Sequence, residues 1–186
     1  MASLIALKLG AISVAWMISS IPALTVLLIW TVLGGHLYAP ETLNLVLGHL
    51  LYGVLVGSIA LFAAAISDSS ATAAIVALAF TIGSWVLDFA LAGQPGLLDW
   101  ISGLSLTQTV RTFEQGLLSV GLLLGVTAGI IGFAALATVW LHPGRPLHSR
   151  LIQSLITVAI AAAALAVSTQ IRTAAAAFSI TRRFIC

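Results

Sequence analysis

The side chains able to do chemistry are few enough to take one at a time. Lys8 is the only lysine, set in Leu7-Lys8-Leu9. A phosphate-binding loop needs Gly-Lys followed by Ser or Thr, so that the lysine reaches the nucleotide phosphates. Lys8 has neither neighbour, which excludes ATP hydrolysis within the chain; any ATP-driven role needs an ATPase on another chain. The histidines His36, His49, His142 and His148 have no partner at i, i+4 spacing, no carboxylate at ligand spacing and no cysteine nearby. Metal ligation needs such convergence, so no metal site is expected and the histidines read as interface or helix-packing groups. Gly103-Leu104-Ser105 has the first half of a nucleophile motif, but Leu106 stands where a second glycine should follow. No catalytic residue and no cofactor is implied.

Two ionisable groups remain of interest because of where they fall. Asp88 and His49 lie inside apolar stretches, where polar groups are costly and often functional. Asp88 is also about one turn from the Gly93 break, so headgroup depth is the plainer reading. Asp99 has no second acid at helical spacing. Cys186 is the single cysteine, so no intrachain disulfide can form.

The elements that position these groups follow from composition. Of 186 residues, 61% are hydrophobic and 6% charged, against roughly 25% charged in an average soluble domain. Five acids and seven Lys or Arg cannot cover a globular surface in water, so the surface must face lipid. A net charge of +2 is too small and scattered for nucleic-acid binding.

A membrane span takes about 20 mainly apolar residues, and five segments qualify: 4–33, 41–67, 72–91, 116–141 and 151–167. The first is longer than the 7–15 residues typical of a signal-peptide core and is expected to be a retained span, kinked at Pro22. Gly34 to Pro40 forms a short turn. Asp68-Ser69-Ser70 is a tight polar turn, with Asp68 read as the cap of the next helix and Glu41 as a first-turn acid. Between the third and fourth spans, residues 97–115 are amphipathic. Leu97, Trp100, Ile101 and Leu104 share one face, and Arg111 and Glu114 sit on the other. The expected fold is all-α: a polytopic helical membrane protein with about five transmembrane helices, plus one interfacial amphipathic helix before the fourth.

Small residues mark expected packing or gate positions. Gly53 and Gly57 are four apart in the second span, and Gly121, Gly125 and Gly129 form a ridge in the fourth. Such ridges let helices approach closely. The tail, residues 168–186, is Ala-rich with Arg172, Arg182 and Arg183 and is expected to be incomplete rather than folded. Lys8, Arg145 and Arg150 fall on one membrane side with the Asp68 turn, which the positive-inside rule places in the cytoplasm.

The order of these features resembles a known family. Asp68-Ser69-Ser70 between two spans, the Trp85-Val86-Leu87-Asp88 span end, and an amphipathic helix running into the last span resemble an ABC-2 type permease of the gliding-motility branch. The segment from Ser105 through Thr109, Val110, Phe113, Gly116 and Leu118 is similar to that branch's interfacial helix. Phe113 and Gly116 fit, while Thr109 and Val110 replace the usual His and aromatic. The resemblance covers the family's last four spans, at residues 1–146. Residues 147–186 resemble the start of the auxiliary subunit found beside or fused to such permeases. The resemblance implies a prokaryotic inner-membrane permease subunit that pairs with a second permease copy as a homodimer or pseudo-dimer, binds a separate ABC ATPase subunit, and contacts membrane lipid. The alternative is a non-transporting integral-membrane scaffold or assembly subunit.

Overall fold

A computed structural model describes residues 2–91, 120–142, 144 and 146–183. The expected interfacial helix, with Phe113 and Gly116, lies outside the described residues. Among those described, the structure is helix and short turns with no strand: α1 (Ala2–Ser19), α2 (Ile21–Val32), α3 (Ala39–Ile66), α4 (Ser70–Leu91), α5 (Val120–Leu141) and α6 (Leu147–Arg183). Five stretches are long and apolar enough to cross a membrane: Ser3–Val32, Ala39–Ile66, Ser70–Leu87, Val120–Leu141 and Leu147–Val167. The chain is a multi-pass helical membrane protein.

The first span is α1 and α2 joined at a bend. Pro22 sits in the first turn of α2, where its missing N–H cannot donate to the preceding turn. Ser20 holds the junction: its Oγ donates to the Trp16 carbonyl at 2.9 Å, and hydroxyl bonds of this kind bend helices. Ser20 itself stays near helical geometry, at φ −83° and ψ −10°, so the span bends without breaking.

The α2–α3 turn has a specific stop. Gly34 takes φ +90°, a conformation costly for any residue with a Cβ. Its N–H donates to the Thr31 carbonyl at 3.1 Å, and the Gly35 N–H donates to that of Trp30 at 2.9 Å. This is a Schellman closure of α2, with the Trp30 ring folded over Gly35. Gly34→Ala should cost about 1 kcal/mol, read as a lowered midpoint in detergent unfolding.

The cap of α4 is Ser69, one residue later than the expected Asp68. Ser69 Oγ accepts from the Thr72 N–H at 3.2 Å and lies 2.9 Å from the Thr72 hydroxyl. Only the residue directly before the first helical turn has a side chain in reach of these donors, and that is Ser69. Ser69→Ala should cost about 1 kcal/mol, measurable in the same unfolding assay, whereas Asp68→Ala should leave the cap intact.

The last helix differs most from expectation. It starts at Leu147, four residues before the expected 151, because the Pro146 carbonyl already accepts from the N–H groups of Ser149 and Arg150. It also continues to Arg183, where an unfolded tail was expected. Alanine is the strongest helix former, so the Ala-rich run propagates the helix without needing a packing face.

Packing fixes the helix directions. Ile12 meets Gly57, and Trp16 meets Gly53, so α1 and α3 are antiparallel. Leu55 meets Gly129 and Phe62 meets Phe133 with ring centroids 6.0 Å apart, so α3 and α5 are parallel neighbours. Gly132 opposes Ala161 and Trp140 donates to Ser154 Oγ at 3.1 Å, so α5 and α6 are antiparallel. The three-residue turn at 67–69 makes α4 antiparallel to α3. It follows that Leu91 and Val120, on either side of the 92–119 connection, lie at the same end of the bundle.

Candidate functional site: the α1–α3 crossing and its lateral cleft

Gly53 and Gly57 both face α1. Gly53 leaves room for the Trp16 indole, which rests where a Cβ would stand, and Gly57 leaves room for Ile12, whose Cγ2 would be 2.7 Å from a built Cβ. Without a side chain at Gly53 the indole lies directly on the α3 backbone. Its Nε1 donates to the His49 carbonyl at 3.2 Å. The ring also lies 5.4 Å from the His49 ring and 6.4 Å edge-on to Tyr52. In lipid, helix association depends on close packing and interhelical hydrogen bonds, because lipid tails are as apolar as leucine. Gly53 supplies both.

The second ridge lines the α3–α5 and α5–α6 seams. Gly121 and Gly125 are buried. Gly129 faces Leu55, and Gly132 faces the Ala161 methyl, each with a built Cβ 3.2 Å away. The core at this seam is Leu55, Ile59, Leu122 and Val126, with Phe133 packed against it. Ser58 is fully buried there and donates to the Leu55 carbonyl at 2.7 Å, so its hydroxyl is satisfied within α3. Phe133 also meets Phe80 edge-on at 5.9 Å, joining α4 to the same core. Gly132 stands outside the four-residue ridge, so spacing alone did not single it out. The signal was its distance from the Ala-rich stretch of α6, which only tertiary pairing reveals.

Beside the Trp16 crossing, the bend between α1 and α2 opens a lateral cleft of about 370 Å³ against the first half of α3. Met17, Leu24 and Leu27 form one wall, and Leu45, His49 and Leu50 the other. That volume falls within the range of small-molecule sites. Its polar groups are the Ser20 hydroxyl, already donating to Trp16, and the His49 imidazole, which is exposed on the cleft wall.

The structure therefore brings Gly53, Gly57 and His49 together at one crossing, and places Gly121, Gly125 and Gly129 along another. Asp88 lies in the last turn of α4, at the bundle end that also carries the Gly34 turn. Among the described residues, no three of His, Cys, Asp and Glu gather as metal ligands. The chemistry on offer is close helix contact and an apolar cleft with one imidazole on its wall. No family model matches the chain, and no curated protein or solved structure shows significant similarity to it.

Proposed function

We propose that the chain is the membrane-spanning permease subunit of an ABC-2 type transporter in a prokaryotic inner membrane. It forms the translocation path, and a separate ATPase subunit drives it. The observation that carries this reading is the parallel pairing of α3 with α5. It puts the end of α4 and the start of α5 at one membrane face. Two further crossings would take about 40 residues, more than residues 92–119 contain. A connection that leaves and re-enters at one face is what an interfacial helix before the last permease span requires. The glycine crossings support the same reading, since spans that meet without intervening side chains can slide or rock against one another.

On this reading the Lys8, Asp68 and Arg150 end faces the cytoplasm and receives the ATPase, and a second permease copy completes the path. Purification of the tagged full chain from native membranes should bring down a nucleotide-binding subunit in equal amount. Recovery of the chain alone, from membranes in which it is abundant, would favour the scaffold reading instead.

A further inference from the structure

We propose that the lateral cleft against α3 is a binding site for an uncharged membrane lipophile, a mainly hydrocarbon molecule whose one oxygen, carbonyl or hydroxyl, pairs with the His49 imidazole. The cleft has a volume of about 370 Å³, and its walls are apolar apart from Ser20 and His49. An apolar cavity of about 150 Å³ already holds a benzene ring, so this space takes a larger ring or a bent chain.

Depth decides what kind of molecule meets His49. The 28 residues of α3 rise about 1.5 Å each, so the helix is longer than a hydrocarbon core of about 30 Å. Centred on that core, α3 puts His49 about 5 Å from the midplane. The headgroup oxygens of a phospholipid stay at the boundary, about 15 Å from the midplane, well short of this level. A charged group so deep is expensive. A saturated chain fills the space but leaves the imidazole unpaired.

The imidazole is held in place and has spare bonding capacity. Its ring tilts at 36° against the Trp16 indole, with centroids 5.4 Å apart. The Trp16 Nε1–H is spent on the His49 carbonyl, and the Ser20 hydroxyl donates to the Trp16 carbonyl. Among the described residues nothing hydrogen-bonds the ring nitrogens of His49. A neutral imidazole offers one donor and one acceptor, and leaving both unpaired in hydrocarbon is costly. A buried water typically makes about three hydrogen bonds, more than His49 and the engaged Ser20 supply. An oxygen on a hydrocarbon body satisfies the ring and fills the apolar walls together, with the polar pair fixing the ligand's orientation. The proposal does not rest on the transport reading.

The test is thermal unfolding of the purified full chain in detergent, titrated with dodecanone, dodecanol, dodecane or dodecanoate, each expressed as its mole fraction in the micelle. A ligand that binds only the folded chain raises the midpoint in proportion to its affinity. Dodecanone or dodecanol should reach half-effect at a mole fraction about five-fold below that of dodecane, the worth of one hydrogen bond. Whichever of the two binds better tells whether the oxygen is a carbonyl or a hydroxyl. Dodecanoate should gain nothing over dodecane. His49→Leu should remove the advantage of the oxygen while keeping the dodecane response. Ala23 lines the cleft and is exposed, so Ala23→Phe should fill the space and weaken all responses without unfolding the chain. Equal responses to dodecane and both oxygen compounds would overturn the proposal, as would an oxygen advantage that survives His49→Leu or Ala23→Phe. No response to any of the four, the result expected if a second copy of the chain covers the cleft, would overturn it too.

Discussion

Replacing Gly53 and Gly57 together by isoleucine is expected to pull α1 away from α3, the largest single effect we anticipate. At Gly53 the new side chain would occupy the space of the Trp16 ring, and at Gly57 a Cβ alone would come within 2.7 Å of Ile12 Cγ2. An indole cannot yield by a small rotation, so the crossing must open. Overpacking costs about 1–3 kcal/mol per site, and here it would also remove the Trp16 to His49 hydrogen bond, worth about 1 kcal/mol. Unfolding of the purified chain in mixed micelles should show a loss of about 3–7 kcal/mol for the pair. Gly83→Leu is the control, because nothing lies within 4 Å of a Cβ built there; it should change stability by no more than about 0.5 kcal/mol. If Gly83→Leu were as damaging as the pair, glycine in these spans would matter for reasons other than the α1–α3 contact.

The second large effect is expected at Phe133. Its ring bridges three helices, meeting Phe62 of α3 at 6.0 Å and Phe80 of α4 at 5.9 Å. An aromatic pair contributes about 0.5–1.5 kcal/mol beyond area burial, so Phe133→Ala loses about 1–3 kcal/mol from its two pairs. The cavity left in the α3–α5 core adds to this. In lipid the transfer part of a core deletion is small, since the surroundings are apolar in both states. The loss is therefore mainly one of packing. A double-mutant cycle between Phe62→Ala and Phe133→Ala isolates the pair and should give a coupling of about 0.5–1.5 kcal/mol. A coupling near zero would mean that the two rings are neighbours without interacting.

What the sequence made legible follows from the kind of signal each feature carries. Span number and helical class come from long apolar runs, and such runs have no other stable home than lipid. The bend was legible because Pro22 stands at it; the part Ser20 plays through its bond to Trp16 was not. The cap at Ser69 was misplaced by one position, since Asp68 and Ser69 are both good caps and only the exact first helical residue decides between them. The continuation of α6 to Arg183 was missed because a packing pattern was sought where alanine propensity is enough. Gly53 and Gly57 stood out by spacing, but which span they admit was not legible. Trp16 as the partner is a tertiary fact, and so is the parallel pairing of α3 with α5. His49 was singled out only as a polar group in a span. Its place on a cleft wall depends on the bend in the other wall, which lies some 30 residues earlier in the chain.

The common face of Leu91 and Val120 underlies the proposed function, and site-directed labelling tests it directly. In a Cys186→Ser background, single cysteines would be introduced as His36→Cys, Ser70→Cys, Ser105→Cys and His148→Cys, then exposed to a membrane-impermeant maleimide from either side. The helix directions predict that His36→Cys and Ser105→Cys label from one side, and Ser70→Cys and His148→Cys from the other. Labelling of Ser105→Cys from the Ser70 side, or its full protection from both, would contradict an interfacial connection between α4 and α5 and with it the permease reading.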